Sequence, residues 1–233
     1  MRDLNTVIFD LGGVLIHSTQ EESVRRFAQL GVGPDKMPLD KYAQRGLIGD
    51  LEHGLISAED FRQGLSNLAG RDITLDECRW AITGYVGGVP QRGLHTILHL
   101  RGLGYRCLLL SNTNPFMMSW ALSTDYDGNG HSLSYYLDEC YCSYQIGEMK
   151  PSPAIFQYVI DKESISPDQA IFVDDSPANI LAAQQVGLRT LLAVNGEDWT
   201  DSLLDSLGEE KVIPTSSSLS PSSPSAPCFS TCC

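Results

Sequence analysis

The chain has 233 residues, 42% of them hydrophobic and 19% charged, enough to bury a core in one large domain or two unequal ones. Its 29 acidic residues against 16 Lys and Arg leave a formal charge of -13, which argues against a sequence-independent grip on nucleic acid or an anionic bilayer. The opening MRDLNTVIFD lacks a signal-peptide core and no window approaches a membrane span, so a cytoplasmic location is expected.

The first element, TVIFD at residues 6 to 10, is a short apolar run that stops at Asp10 and is followed by Gly12 and Gly13. It reads as a buried strand. Residues 18 to 88 then break the rhythm: ESVRRFAQL, ISAEDFRQGLSNLAG and TLDECRWAITGYV are helix-like, with no strand expected among them. Ser57 is placed to cap the second of these, with Asp60 three residues on in the capping-box position. Beyond this insert, helical and strand patterns alternate: QRGLHTILHLRGLG, then YRCLLLSN; PSPAIFQYVIDKE, then AIFVDD; SPANILAAQQVG, then RTLLAV. ECYCSYQIG, at residues 139 to 147, reads as a fifth strand. This order predicts an α/β fold, a doubly wound parallel sheet carrying a small helical cap domain.

The domain division expected is a core of residues 1 to 17 and 89 to 213, a helical cap over 18 to 88, and a disordered Ser- and Pro-rich tail over 214 to 233. Seven cysteines, Cys78, Cys107, Cys140, Cys142, Cys228, Cys232 and Cys233, show no C-x-x-C pair, and reduced thiols are expected. Cys140 and Cys142 lie two apart, so on a strand they share a face as small core fillers.

Three strands end in polar residues: Asp10, then Ser111 and Asn112, then Asp174 and Asp175. In an open parallel sheet such ends converge on the ligand crevice. Facing carboxylates repel unless a cation intervenes, and oxygen-only ligands at an open crevice favour Mg²⁺ with substrate phosphate completing the octahedron. There an Asp can act as a nucleophile toward phosphorus, with Lys150 supplying fixed positive charge and Ser111 and the amides of the LGG turn, at Gly12 and Gly13, neutral donors. Taken singly, each of these residues has an ordinary structural reading as a turn former, cap or surface lysine.

The four segments FDLGGVL, LLLSNTN, GEMKPSPAIF and FVDDSPANI, in this order, resemble the motifs of the haloacid dehalogenase-like hydrolases, in subfamily I with its helical cap and Rossmann-like core. Within it they are most similar to the phosphatases of α-D-glucose 1-phosphate. The resemblance implies that Asp10 is the nucleophile and a Mg²⁺ ligand, that Gly12 lends the metal a backbone carbonyl, and that Asp175 is the main acidic ligand, with Asp174 binding less directly. It implies that Ser111 and Lys150 meet the phosphate and that Asn179 holds the acidic pair in place; Asn112, beside Ser111 at the strand end, is a further candidate to meet the substrate. The substrate expected is a small phosphate ester.

Most phosphatases of this family carry Asp at the position of Gly12, where it protonates the leaving alcohol. A sugar 1-phosphate releases a more acidic hydroxyl, so aldose 1-phosphates are favoured. His17 is a candidate substitute acid, its alternative being an exposed loop histidine. Tyr42, Arg45 and Trp80 are candidate specificity residues of the cap. Two other readings stay open: a metal-independent haloacid dehalogenase, which leaves Asp174 and Asp175 unexplained, and a non-catalytic binding protein that has kept the fold.

Overall fold

Strand β1 (Thr6–Phe9) is buried at every residue because it lies at the centre of the sheet. In the computed structural model, which describes residues 4–39 and 45–211, β1 leads into β2 (His17–Ser18), α1 (Glu21–Gln29), α2 (Gly46–Glu52), α3 (Ala58–Ala69), α4 (Leu75–Ile82) and β3 (Val86–Gly88). There follow α5 (Gln91–Gly102), β4 (Arg106–Ser111), α6 (Pro115–Ala121), α7 (Leu133–Tyr136), β5 (Glu139–Cys142) and α8 (Ser143–Ile146). The chain then forms α9 (Pro153–Glu163), β6 (Ala170–Asp174), α10 (Pro177–Gln185), β7 (Arg189–Leu192) and α11 (Thr200–Leu207).

Five strands pair in the order β5-β4-β1-β6-β7, all parallel. Alternate side chains of β1 serve two cores: Val7 and Phe9 join Leu94, Ile97 and Leu203 on one face, while Ile8 joins Phe156, Val159 and Phe172 on the other. Helices on both faces explain why the strands read as unbroken apolar runs rather than alternating ones. The chain leaves β1 toward β4 and β5, then returns to build β6 and β7 on the other side. The crevice therefore opens where β1, β4 and β6 end. Phe9 is in register with both Leu109 and Val173, so the three strands end at one level.

The insert between β1 and β4 differs from the expectation of an all-helical segment. His17–Ser18 and Val86–Gly88 pair as an antiparallel ribbon where the chain leaves and re-enters the core. Neither HS nor VGG has an apolar pattern. The ribbon is fixed from outside: Asn195 accepts from Ser18 N at 3.0 Å and donates to Ser18 O at 2.8 Å. The Ser57–Asp60 capping box forms at the start of α3, and a second, Thr74–Glu77, opens α4. Insert helices pack on the core through α4 against α6 and α2 against α8, and Phe61 of α3 also meets α6, its ring 5.7 Å from that of Phe116.

The segment ECYCSYQIG is a strand only as far as Cys142, after which one helical turn ends at Gly147 in the left-handed conformation. None of the four described cysteines is in a disulfide, and Cys140 and Cys142 both pack toward the same core cluster. The expected disordered tail, Cys228, Cys232, Cys233 and Tyr42 lie outside the described residues. No described helix is long and apolar enough to cross a membrane.

Candidate active site

Asp10 follows β1 directly, and its main-chain N–H donates to Val173 O at 2.9 Å, which ties it to the end of β6. Its side chain meets few donors. Leu11 N–H donates to Oδ1 at 2.7 Å and Lys150 Nζ reaches the same oxygen at 2.9 Å. Burial pushes the Asp10 carboxyl well above the usual carboxylate range, Lys150 pulls it down, and the neighbouring Asp174 charge raises it again.

Lys150 is buried and its ammonium also contacts Asp174 Oδ2, at 2.7 Å. Burial alone would favour the neutral amine, but Asp10 and Asp174 together hold it above its ordinary value and charged. Its main chain is clamped by Asn112, whose Nδ2 donates to Lys150 O at 2.8 Å and whose Oδ1 accepts from Lys150 N at 2.8 Å. Both halves of the Asn112 amide are spent this way. Asn112, expected to meet substrate, lines the cavity, and its side-chain amide fixes the position of Lys150.

The acidic pair after β6 divides. Asp174, fully buried, accepts from Lys150, from Ser176 N at 2.8 Å and from Asn179 Nδ2 at 3.0 and 3.1 Å. Asp175 lines the crevice. A Cβ on Gly13, whose φ is +75°, would stand 2.5 Å from the Asp175 carboxylate, so this glycine is what lets the acid lie against the turn after β1. The turn's amides were expected as phosphate donors, but Leu11 N is committed to Asp10 and Gly13 N to Ile16 O. Gly13 contributes space rather than a donor. Gly12 and Ser111 both line the crevice.

These groups face a cavity of about 340 Å³ between the strand ends and the insert. Asp10, Asp174 and Asp175 each offer a carboxylate oxygen, and the three oxygens lie within 4.8 Å of one another. Among the described residues that line the cavity only Lys150 is cationic, against Asp10, Glu21, Glu52 and Asp175. A hard divalent cation suits such an oxygen-only, net-negative donor set.

His17 is not on the cavity wall, and its ring lies toward Gly88 across the ribbon. Arg45 and Trp80 do not line the cavity either; Trp80 lies under the Arg26 guanidinium at 5.2 Å. The insert instead presents Gln20, Ile48, Glu52, Ile82 and Tyr85. None of these was anticipated, because each is defined by packing across the cavity rather than by a local motif. Gln20 Nε2 and, from the core side, Thr113 Oγ1 are buried on this wall without a hydrogen-bond partner.

The haloacid dehalogenase-like hydrolase family profile matches residues 4–187, most of the chain. The protein belongs to this family of hydrolases. It is 40% identical over 200 residues to the D-ribitol-5-phosphate phosphatase of Bacteroides thetaiotaomicron, covering 86% of this chain and 97% of that one. The structure of a predicted hydrolase of the family from Porphyromonas gingivalis superposes with a TM-score of 0.83 at 37% identity, covering 89% of this chain and all of that one. A further family enzyme from B. thetaiotaomicron, solved in complex with magnesium and inorganic phosphate, gives 0.76 at 30% identity over 85% of this chain and 98% of that one.

Proposed function

We propose that this hydrolase is a Mg²⁺-dependent phosphatase that acts on a small sugar or polyol phosphate, with Asp10 as the nucleophile. The observation that carries the reading is the strand-end arrangement: one carboxylate short of donors, Asp10, beside a charged Lys150 and a second acid, Asp175, on one cavity wall. A bound magnesium would be held by Asp10 and Asp175, with the Gly12 carbonyl and with Asp174 behind, and would offset negative charge on the phosphoryl group.

The remaining chemistry belongs to the chain. An Asp10 carboxylate oxygen attacks phosphorus, the bond to the sugar oxygen breaks, and water later cleaves the aspartyl-phosphate to regenerate Asp10. Lys150 holds positive charge against the phosphoryl oxygens and the attacking carboxylate. Ser111, whose hydroxyl makes only a long 3.4 Å contact to Asn112 O, is available to donate to a phosphoryl oxygen. Asn179 and Asn112 act through others, the first on Asp174 and the second on the Lys150 main chain.

The likeness to a D-ribitol-5-phosphate phosphatase supports an ordinary alcohol as leaving group, which widens the substrate class beyond the aldose 1-phosphates. The unpartnered Thr113 hydroxyl and Gln20 amide suit a polyhydroxylated substrate, since each regains a hydrogen bond when it binds. Phosphate release from ribitol 5-phosphate, glucose 1-phosphate and p-nitrophenyl phosphate should require magnesium and stop with chelator. Release that persists in chelator, or chloride release from 2-chloropropionate in its place, overturns the reading.

A further inference from the structure

With Gly12 in the usual place of the acid, the expelled alkoxide needs a proton from elsewhere. Among the described residues, four acids line the cavity. Asp10 and Asp175 stand at the strand ends, and Glu21 is exposed in the first turn of α1. Glu52, the last residue of α2, enters from the insert side.

Glu52 is held at both its main chain and its side chain. Ser143 Oγ donates to its carbonyl at 2.5 Å, and its carboxyl is hydrogen-bonded by the Asn114 side chain, which also caps α6. The preceding Ile48 and Leu51 are buried, so α2 cannot rotate the acid away. Two residues on, a Cβ at Gly54 would lie 2.3 Å from Tyr144 O, a measure of how closely the insert backbone rests on the core there. Among the described residues no cation forms an ion pair with Glu52. Burial first, opposed by the Asn114 hydrogen bond and helped by the Asp10 charge, pushes its carboxyl up to about 8, which leaves it protonated at neutral pH.

We propose that Glu52, positioned by Ser143 and Asn114 on the wall facing the strand ends, is the general acid and base that replaces the acid missing at Gly12. This assignment rests on the phosphatase reading. As Asp10 forms its bond to phosphorus, the phosphorus–oxygen bond breaks with its electron pair on the alcohol oxygen, which takes the Glu52 proton. The Glu52 carboxylate then takes a proton from the water that attacks phosphorus. The bond to Asp10 breaks, its pair returns to the carboxylate, phosphate departs and Glu52 is protonated again.

The test compares two esters in Glu52→Gln, which keeps the shape of the neutral acid. p-Nitrophenolate leaves without protonation, whereas the alcohol of ribitol 5-phosphate does not. In rapid mixing with magnesium, the variant should release one equivalent of p-nitrophenol at close to the wild-type rate and then turn over slowly. Its turnover of ribitol 5-phosphate should fall by about 10²- to 10⁴-fold with little change in KM. Adding Gly12→Asp should recover much of this loss, because only Ser18 Oγ, the end of a short side chain, lies in the way, 3.0 Å from the new Cβ.

Equal loss of the first chemical step on both esters, loss through KM alone, or no loss overturns the assignment to Glu52 while leaving the phosphatase reading intact. A wild-type protein that releases nothing from either ester, or releases it equally as Asp10→Asn, overturns both. Matching far-ultraviolet spectra and melting temperatures separate any loss from unfolding.

Discussion

Two buried carboxylates, Asp10 and Asp127, sit in different parts of the same core and have opposite fates. Asp127, in the loop before α7, accepts from Tyr136 Oη at 2.6 Å, from the main-chain N–H of Asn129 at 2.7 Å and His131 at 2.9 Å, and meets His131 Nδ1 at 2.8 Å. Burial alone would raise its pKa, yet these partners hold it well below the ordinary range. Asp10 has one lysine and one amide, and burial wins. A carboxylate surrounded by donors is a structural joint. One left short of them keeps its reactivity, and the fold bears that cost at the strand ends.

The sharpest way to break this comparison is at the reactive end. Asp10→Asn should lower kcat by about 10⁴- to 10⁶-fold, as removal of a nucleophile does. It should melt no lower than wild type in the absence of magnesium, because it removes a desolvated, poorly satisfied charge. Retained turnover in this variant would mean that the two carboxylates do not differ in the way described.

Lys150→Ala comes next. It strips the cation from both Asp10 and Asp174, and leaving a buried charge without its partner costs about 3–5 kcal/mol. The urea midpoint without metal should fall accordingly. Saturating magnesium should recover part of the stability but not the turnover, because the cation can screen the acids without replacing the ammonium that meets the phosphoryl group. Recovery of both would reduce Lys150 to a counter-ion.

How much of this contrast could be read in the sequence follows from where each feature is encoded. The strand ends were legible, since a run buried on both faces must stop where polar residues begin, and Asp10, Ser111 and the Asp174–Asp175 pair mark those stops. The division of labour within the pair was legible only through the family resemblance and not from the residues alone, because it depends on Asn179 and Lys150 turning toward Asp174 and on the bare Cα of Gly13 under Asp175. The β2–β3 ribbon was illegible for a related reason, its register being fixed by Asn195 from 177 residues away. Glu52 closes the short helix GLIGDLE, where an acid reads as solvent-facing; only the contacts with Ser143 and Asn114 reveal otherwise. Asn114 caps α6 ahead of Pro115, a role that marks a helix start and says nothing of its partner across the cavity.

The structural end of the comparison gives the smallest effect and a pH dependence of definite sign. Asp127→Asn keeps the shape but replaces an acceptor-only group with an amide that cannot accept at both oxygens. Loss of the charge-assisted bonds from Tyr136 and the loop amides should cost about 2 kcal/mol, with kcat little changed. Because the folded carboxyl lies below its ordinary value of 3.8, its stabilising contribution is complete above that value and shrinks as pH falls below it. Wild type and Asp127→Asn should therefore differ most in urea midpoint at neutral pH and converge in acid. A difference that widens in acid would mean that Asp127 is held neutral, and that donors around a buried acid do not separate joint from reactive group in this fold.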